Sequence, residues 1–208
     1  HSNGSIYVAT AGGGAAQTVT QYNDAGEQGW SVTDWPNGKP TGLATAGDGG
    51  LVVVDQGGYV TDLNAADGTI DWSTSVGGNL RSVAVASDGS IYAGEFGPQG
   101  GDIHRLSAAG ADQGWPSNGD GDTILSITVS GSTVFVGDQN GDVRRFGSDG
   151  QQVWETNIGS TTGIGALLLD GSSLYAGGGH MALLDLNGGI TWSEPTATGR
   201  VWGLMRVP

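Results

Sequence analysis

The chain has 208 residues, no cysteine, 41 glycines and a formal net charge of −14, from 21 acidic against 7 basic side chains. That balance gives no basic footprint for nucleic acid or for an anionic membrane surface, and the missing thiols exclude a disulfide framework, a thiolate metal site and a cysteine nucleophile. No run approaches the roughly 20 apolar residues of a membrane span, and His1-Ser-Asn-Gly lacks the basic-then-apolar pattern of a signal peptide.

The first predicted strand is the apolar run Ile6-Tyr-Val-Ala9. A phrase then runs from Tyr22 through Asp24 and Gly26 to Trp30. It returns from Leu63 to Trp72, from Leu106 to Trp115, from Phe146 to Trp154 and from Leu184 to Trp192. The second repeat shows a four-strand pattern: Gly42 to Ala46, Leu51 to Val54, Tyr59 to Leu63 and Ile70 to Thr74. The second strand of each repeat is nearly continuous apolar sequence (Leu51 to Val54, Ile91 to Ala93, Val134 to Val136, Leu174 to Ala176). Such runs fit strands covered on both faces. Asp48-Gly49, Asp67-Gly68, Asp88-Gly89, Asp149-Gly150 and Asp170-Gly171 separate apolar runs and read as type I′ hairpin turns, with both central residues at positive φ. No segment has helical period.

A strand-rich repeat of about forty residues, each closed by a tryptophan, is the pattern of an all-β propeller, one four-stranded antiparallel blade per repeat. The count is five blades in one domain over 1–208. Blade 1 takes 200–208 plus 1–34, blade 2 takes 41–76, blade 3 takes 79–117, blade 4 takes 123–158 and blade 5 takes 163–194. Blade 1 has no inner strand before Ile6, while Arg200-Val-Trp-Gly-Leu-Met-Arg-Val207 is similar to the inner strands that open at Leu80, Thr123 and Gly163. The C-terminal strand is therefore expected to complete the first blade and close the ring, which removes exposed sheet edges. Trp30, Trp72, Trp115, Trp154 and Trp192 are read as blade-docking residues. Burying one such ring removes roughly 150–250 Å² from water, worth about 4–6 kcal/mol at about 25 cal/mol per Å².

The phrases Gly58-Tyr-Val-Thr-Asp-Leu63 with Asp67 to Trp72, and Gly141-Asp-Val-Arg-Arg-Phe146 with Asp149 to Trp154, resemble the quinoprotein-like (PQQ-like) propeller repeat. The resemblance covers nearly the whole chain. The family it points to includes quinone-dependent dehydrogenases and cofactor-free scaffolds of the outer-membrane assembly type. Its dehydrogenases use an adjacent-cysteine disulfide, which a chain without cysteine cannot form, so the resemblance implies no cofactor. Most members have seven or eight blades, and five is a departure.

Aligning the second strands places Thr10, Asp55, Glu95, Asp138 and Gly178 at one equivalent position. Three carboxylates in consecutive blades suit a cation site or an acid–base pair for glycan cleavage. An Asp opening a tight turn also accepts the turn's own N–H groups, which is the plainer account. Trp35 and Lys39, in the loop from Asp34 to Pro40, together with Asp55, Glu95, Asp138 and Arg200, are candidate contacts for a ligand or partner. Asp120 and Asp122, in Asn118-Gly-Asp-Gly-Asp122, resemble half of a calcium loop and are the candidate metal ligands, calcium being the ion they suit.

The expected function is a non-enzymatic binding or scaffold module presenting an acidic loop face to a protein or glycan. The expected location is extracellular, at a cell surface or on a virion, and the Asp-rich, Lys-poor composition is similar to that of proteins from salt-loving sources. The alternatives are a quinone-dependent or glycan-cleaving enzyme using Asp55, Glu95 and Asp138, and a five-bladed lectin.

Overall fold

A computed structural model of the chain describes residues 4–10, 17–47, 49–97, 101–116, 122–196 and 199–205. Among the described residues there are strands and no helix. The first sheet holds β1 (Ile6–Thr10), β2 (Thr18–Tyr22) and β3 (Gln28–Val32). The second holds β4 (Pro40–Thr45), β5 (Leu51–Asp55), β6 (Tyr59–Leu63) and β7 (Ile70–Ser75). The third holds β8 (Leu80–Val85), β9 (Ile91–Glu95) and β10 (Ile103–Leu106). The fourth holds β11 (Ile124–Ser130), β12 (Thr133–Asp138), β13 (Asp142–Phe146) and β14 (Gln152–Asn157). The fifth holds β15 (Ala166–Asp170), β16 (Ser173–Gly177), β17 (His180–Asp185) and β18 (Ile190–Pro195). All are antiparallel meanders of chain neighbours.

Two sheets thus carry three strands, not the expected four. In the third, the chain around Trp115 makes only an isolated bridge, Leu106 to Asp112. Gly114 takes φ of 60° just before Trp115, and Pro116 follows with no N–H for a ladder, so the strand cannot propagate. In the first sheet, β1 has no partner on its inner edge among the described residues. The expected strand over 200–207 is absent from 200–205, and Arg206 and Val207 lie outside the described residues. Instead, Val201 donates its N–H to Gly178 O at 3.3 Å, along the flank of the fifth sheet.

The hairpin turns also differ from type I′. Gly68, Gly89, Gly150 and Gly171 have positive φ, but among the described residues the only non-glycine that does is Asp34. The chain bends through a type I turn and the glycine then takes the left-handed position of a bulge. Three of the preceding aspartates act alike: Asp67, Asp88 and Asp149 accept the N–H two residues ahead through Oδ1. Asp48 lies outside the described residues.

Neighbouring sheets pack face to face in chain order, and the second strands form the layers between them. Val52 and Val54 of β5 meet Ile91 and Ala93 of β9, Val134 and Val136 lie in the cluster with Tyr92, and Phe135 packs with Leu174 and Ala176. Each of these is buried, as continuous apolar runs require.

At the rim, four of the five repeat tryptophans lean on a glycine of the next sheet. A Cβ built on Gly68 would strike the ring of Trp30, one on Gly110 the ring of Trp72, one on Gly150 that of Trp115 and one on Gly188 that of Trp154, each within about 3.2 Å. Trp30 Nε1 donates to Ala65 O at 2.9 Å and Trp154 Nε1 to Leu186 O at 3.0 Å. The same glycines hold φ between 74° and 86°, so they are required twice, by backbone angle and by the ring above. Trp154→Ala is expected to cost about 3 kcal/mol, and Gly188→Ala about 1–2 kcal/mol from the left-handed backbone alone. Urea denaturation of the two variants checks both.

Candidate functional site

Asp55 and Asp138 sit at the ends of β5 and β12, where the backbone reverses in a tight turn. Both are fully buried. Asp55 Oδ1 accepts the N–H of Gly57 at 2.9 Å and of Tyr59 at 3.1 Å. Asp138 Oδ1 does the same for Asn140 at 2.8 Å and Asp142 at 3.0 Å. The remaining oxygens diverge. Asp55 Oδ2 accepts Trp35 Nε1 at 2.9 Å, whereas Asp138 Oδ2 faces Arg144 Nη2 at 2.9 Å.

Trp35 is therefore placed quite differently from an exposed loop anchor. It is 5% exposed and packs with Val19, Leu51, Val53 and Leu63. Its N–H bonds Gln17 O at 3.1 Å, which draws the loop inward. The ring is a strut between the first two sheets and leaves no face for a partner. Lys39 is half-buried beside it, its carbonyl accepting Gln56 N–H at 2.9 Å.

Glu95 bonds across to His104 Nε2 at 2.9 Å, inside its own sheet. Arg144, absent from the sequence-based candidates, is the hub of the fourth sheet. It is 3% exposed, and its guanidinium also reaches Asp122 Oδ2 at 2.6 Å and Glu155 Oε2 at 3.0 Å. Asp122 Oδ1 in turn accepts Asn140 Nδ2 at 2.5 Å. Asp122 is thus held by Arg144 and Asn140, and Asp120 lies outside the described residues. Among the described residues no set of three His, Asp or Glu side chains is grouped to hold a metal ion. The three carboxylates at equivalent positions are therefore not among such a group. Each is tied into its own sheet, by a turn, a histidine or an arginine. An arginine where β10 has His104, β6 has Thr61 and β17 has Ala182 was the available signal for this hub.

Burial pushes Asp138 up to about 6, against the opposing pull of its two amide donors and Arg144. Arg144 is held above its ordinary value by its three carboxylates, which outweigh its burial.

A different grouping lies around the innermost strands. Gly42, Ser82, Ser126 and Ala166, one from the inner strand of each of sheets two to five, line a common cavity of about 340 Å³ together with Trp202 and Leu204. At its edge Trp202 is 63% exposed. The guanidinium of Arg200 lies 4.9 Å from its ring centre and that of Arg81 lies 5.9 Å away. Arg81 also covers the ring of Phe96 at 4.9 Å. Among the described residues neither arginine has a carboxylate within ion-pair distance. Burial, and then the like charge of Arg81, hold Arg200 below the usual arginine range. Of the expected partner contacts, Arg200 alone falls in this group. Arg81, Phe96 and Trp202 come from three different segments, and only the fold joins them.

The class defined by this arrangement is a repeat propeller whose polar residues mostly brace the sheets, with one exposed aromatic–cation group at the axial cavity. The chain belongs to the PQQ-like repeat family, through a family model described as outer membrane protein assembly factor BamB that matches residues 15–202. No curated protein matches. Among solved structures, the crystal structure of the computationally designed Ika8 protein superposes with a TM-score of 0.74 at 15% identity, over 99% of this chain and 66% of that chain. This chain thus spans just under two thirds of the designed chain's length.

Two outcomes are expected. In the native state Asp138 holds its proton more tightly than in the unfolded chain, so the stability it contributes is full below about pH 4 and lost as pH rises through about 6. Asp138→Asn should therefore remove a decline on the order of 1–3 kcal/mol from the unfolding free energy between pH 4 and 7, measured by denaturant titration at each pH. Trp35→Phe leaves Asp55 Oδ2 without its indole donor and should cost about 1–3 kcal/mol, read from the urea midpoint.

Proposed function

We propose that the chain is a non-enzymatic binding or scaffold module whose partner is a protein, contacted at the group formed by Arg81, Phe96, Trp202 and Arg200. The observation that carries this reading is the exposed indole between two arginines that have no carboxylate partner among the described residues. Tryptophan and arginine are the residues on which protein contacts most often concentrate their energy. Two like charges held near one another favour an acidic segment between them, and the rings offer apolar contact beside it. Family membership agrees with this role, because the description of the matching family names an assembly factor for outer membrane proteins.

The enzyme alternatives lose their support at Asp55 and Asp138, which are fully buried and bonded within their turns. A lectin with one pocket per blade would need a common set of polar and aromatic residues in every blade, whereas the aromatic–cation group draws single residues from separate segments. On this reading the contact is cationic and aromatic in an otherwise acidic molecule, and the acidic loop face of the initial expectation is not its centre.

Photo-cross-linking from position 202, in cells that make the protein, tests this. A protein adduct should form there, and its yield should fall at least about tenfold in the Arg81→Glu/Arg200→Glu variant, while a cross-linker at Val153, exposed on β14, gives none. Retention of glycans without a protein adduct, or an adduct indifferent to both arginines, would sink the reading.

A further inference from the structure

In every sheet one cross-strand pair recurs at the same register, three positions before Thr10, Asp55, Glu95, Asp138 and Gly178. It is Tyr7 with Gln21, Val52 with Asp62, Tyr92 with Arg105, Phe135 with Arg145 and Tyr175 with Leu183. Four of these pairs carry an aromatic ring, and the second sheet carries a valine instead. Three of the rings lie against the tryptophan of their own sheet: Tyr7 and Trp30 have ring centres 5.7 Å apart, Tyr92 and Trp115 5.2 Å, and Phe135 and Trp154 6.1 Å. Their long partners reach the next sheet or cover the rings. Gln21 Nε2 donates to Ala65 O at 3.2 Å and Arg145 Nη1 to Leu186 O at 3.2 Å, while the guanidinium of Arg105 stands 5.9 Å from the ring centres of both Tyr92 and Trp115. Ring and long arm together occupy the space between one sheet and the next.

The second sheet is short in both members of its pair. Valine lacks the ring and aspartate lacks the arm. A cavity of about 280 Å³ opens there, between the second and third sheets, lined by Val52, Asp62, Val85, Ile91 and Ala108 among others. Ala108 precedes Gly110 by two residues as Leu186 precedes Gly188, so the cavity runs to the turn that an arm like that of Arg145 would reach. Asp62 is 7% exposed. Asp88 also lines the cavity from an exposed turn, where its Oδ1 accepts Ser90 N–H at 2.9 Å.

We infer that this cavity is a binding site for a small organic cation, an aromatic ring carrying a protonated amine on a short arm. The shape argument comes from within the molecule, because the other sheets place a ring at the position of Val52. An apolar cavity of about 150 Å³ admits benzene, so one of about 280 Å³ takes a ring with its arm. The charge argument rests on Asp62 and Asp88. A carboxylate withdrawn from water attracts a cation more strongly than one on the surface, and a net charge of −14 draws cations toward the molecule. Val52, Val85, Ile91 and Ala108 give the cavity apolar wall, the combination of apolar lining and few polar groups that suits an organic ligand. A bare metal ion fits it less well, since among the described residues no three His, Asp or Glu side chains are grouped to hold one.

The site stands apart from the proposed protein contact: Arg81 lies near one end of β8 and Val85 at the other. Phenethylamine titrated into the 208-residue chain, at neutral pH and about 150 mM salt to screen the net charge, tests the inference by calorimetry and protein-observed NMR. Saturable one-to-one binding is expected, with a dissociation constant of about 1 mM or below and shifts concentrated at the methyl groups of Val52, Val85 and Ile91. Phenylethanol has the ring and the arm without the charge, and should bind at least about tenfold more weakly. Asp62→Asn should weaken phenethylamine by a similar factor. Val52→Tyr supplies the side chain that Tyr7, Tyr92 and Tyr175 provide in other sheets, and should abolish binding with the fold intact by circular dichroism. The comparison of amine with alcohol uses the wild type, so it decides even where a variant fails to fold. Absence of saturable binding up to about 10 mM amine, equal binding of the alcohol, or binding that survives in folded Val52→Tyr or is unchanged in folded Asp62→Asn would overturn the inference.

Discussion

A flat indole resting on a glycine that has no side chain to lift it away is the contact on which the rest of this fold depends. It occurs at the rim, between sheets that share no backbone hydrogen-bond ladder. Within a sheet the ladder fixes geometry; between sheets only side-chain packing can. The indole supplies a large apolar face and, at Trp30 and Trp154, an N–H that finds a carbonyl of the same neighbouring turn. Thr74 and Thr156 add hydroxyl bonds to the carbonyls of Gly110 and Gly188, two residues beyond their tryptophans. One short phrase therefore sets both where a sheet ends and how the next one leans against it.

The carboxylates show how the same position can be put to different structural uses without becoming a site. A backbone reversing after the second strand leaves N–H groups pointing at one another's space, and an Asp there satisfies two of them at once. Its second oxygen then needs its own donor, because an unpaired buried oxygen is costly. The second sheet provides an indole from the preceding loop, and the fourth a guanidinium from the adjacent strand. The longer Glu95 reaches a histidine instead. Three solutions to one local problem look, in an alignment, like three members of a cluster.

That difference marks the boundary of what the chain's letters reveal. The forty-residue phrase, the apolar second strands and the Asp-Gly turns are local patterns, and they led to the all-β repeat. Loss of the outer strand near Trp115 was also local, since Gly114 and Pro116 flank the ring, but the repeat concealed it. Trp35 could not be placed in this way: a tryptophan beside proline in a polar loop looks exposed until the bond from its backbone to Gln17 draws it under Asp55. The meeting of Arg81, Phe96, Trp202 and Arg200 depends on the arc of the sheets around the axis, which no spacing encodes.

The distribution of positive charge gives the axial group its meaning. Arg144 is enclosed by carboxylates, Arg145 donates to Leu186 O in the next sheet at 3.2 Å, and Arg105 lies over the rings of Tyr92 and Trp115. These three brace the sheets. Arg81 and Arg200 brace little: they flank an exposed ring and repel one another, in a molecule whose acidic residues outnumber its basic ones three to one. Surface carboxylates are abundant enough to neutralise any two arginines, and a chain under no other constraint would pair them. Keeping them close together and free of carboxylates among the described residues holds a local positive field inside an acidic surface. On the proposed reading, such a field favours an approaching acidic group, which the rest of the molecule repels.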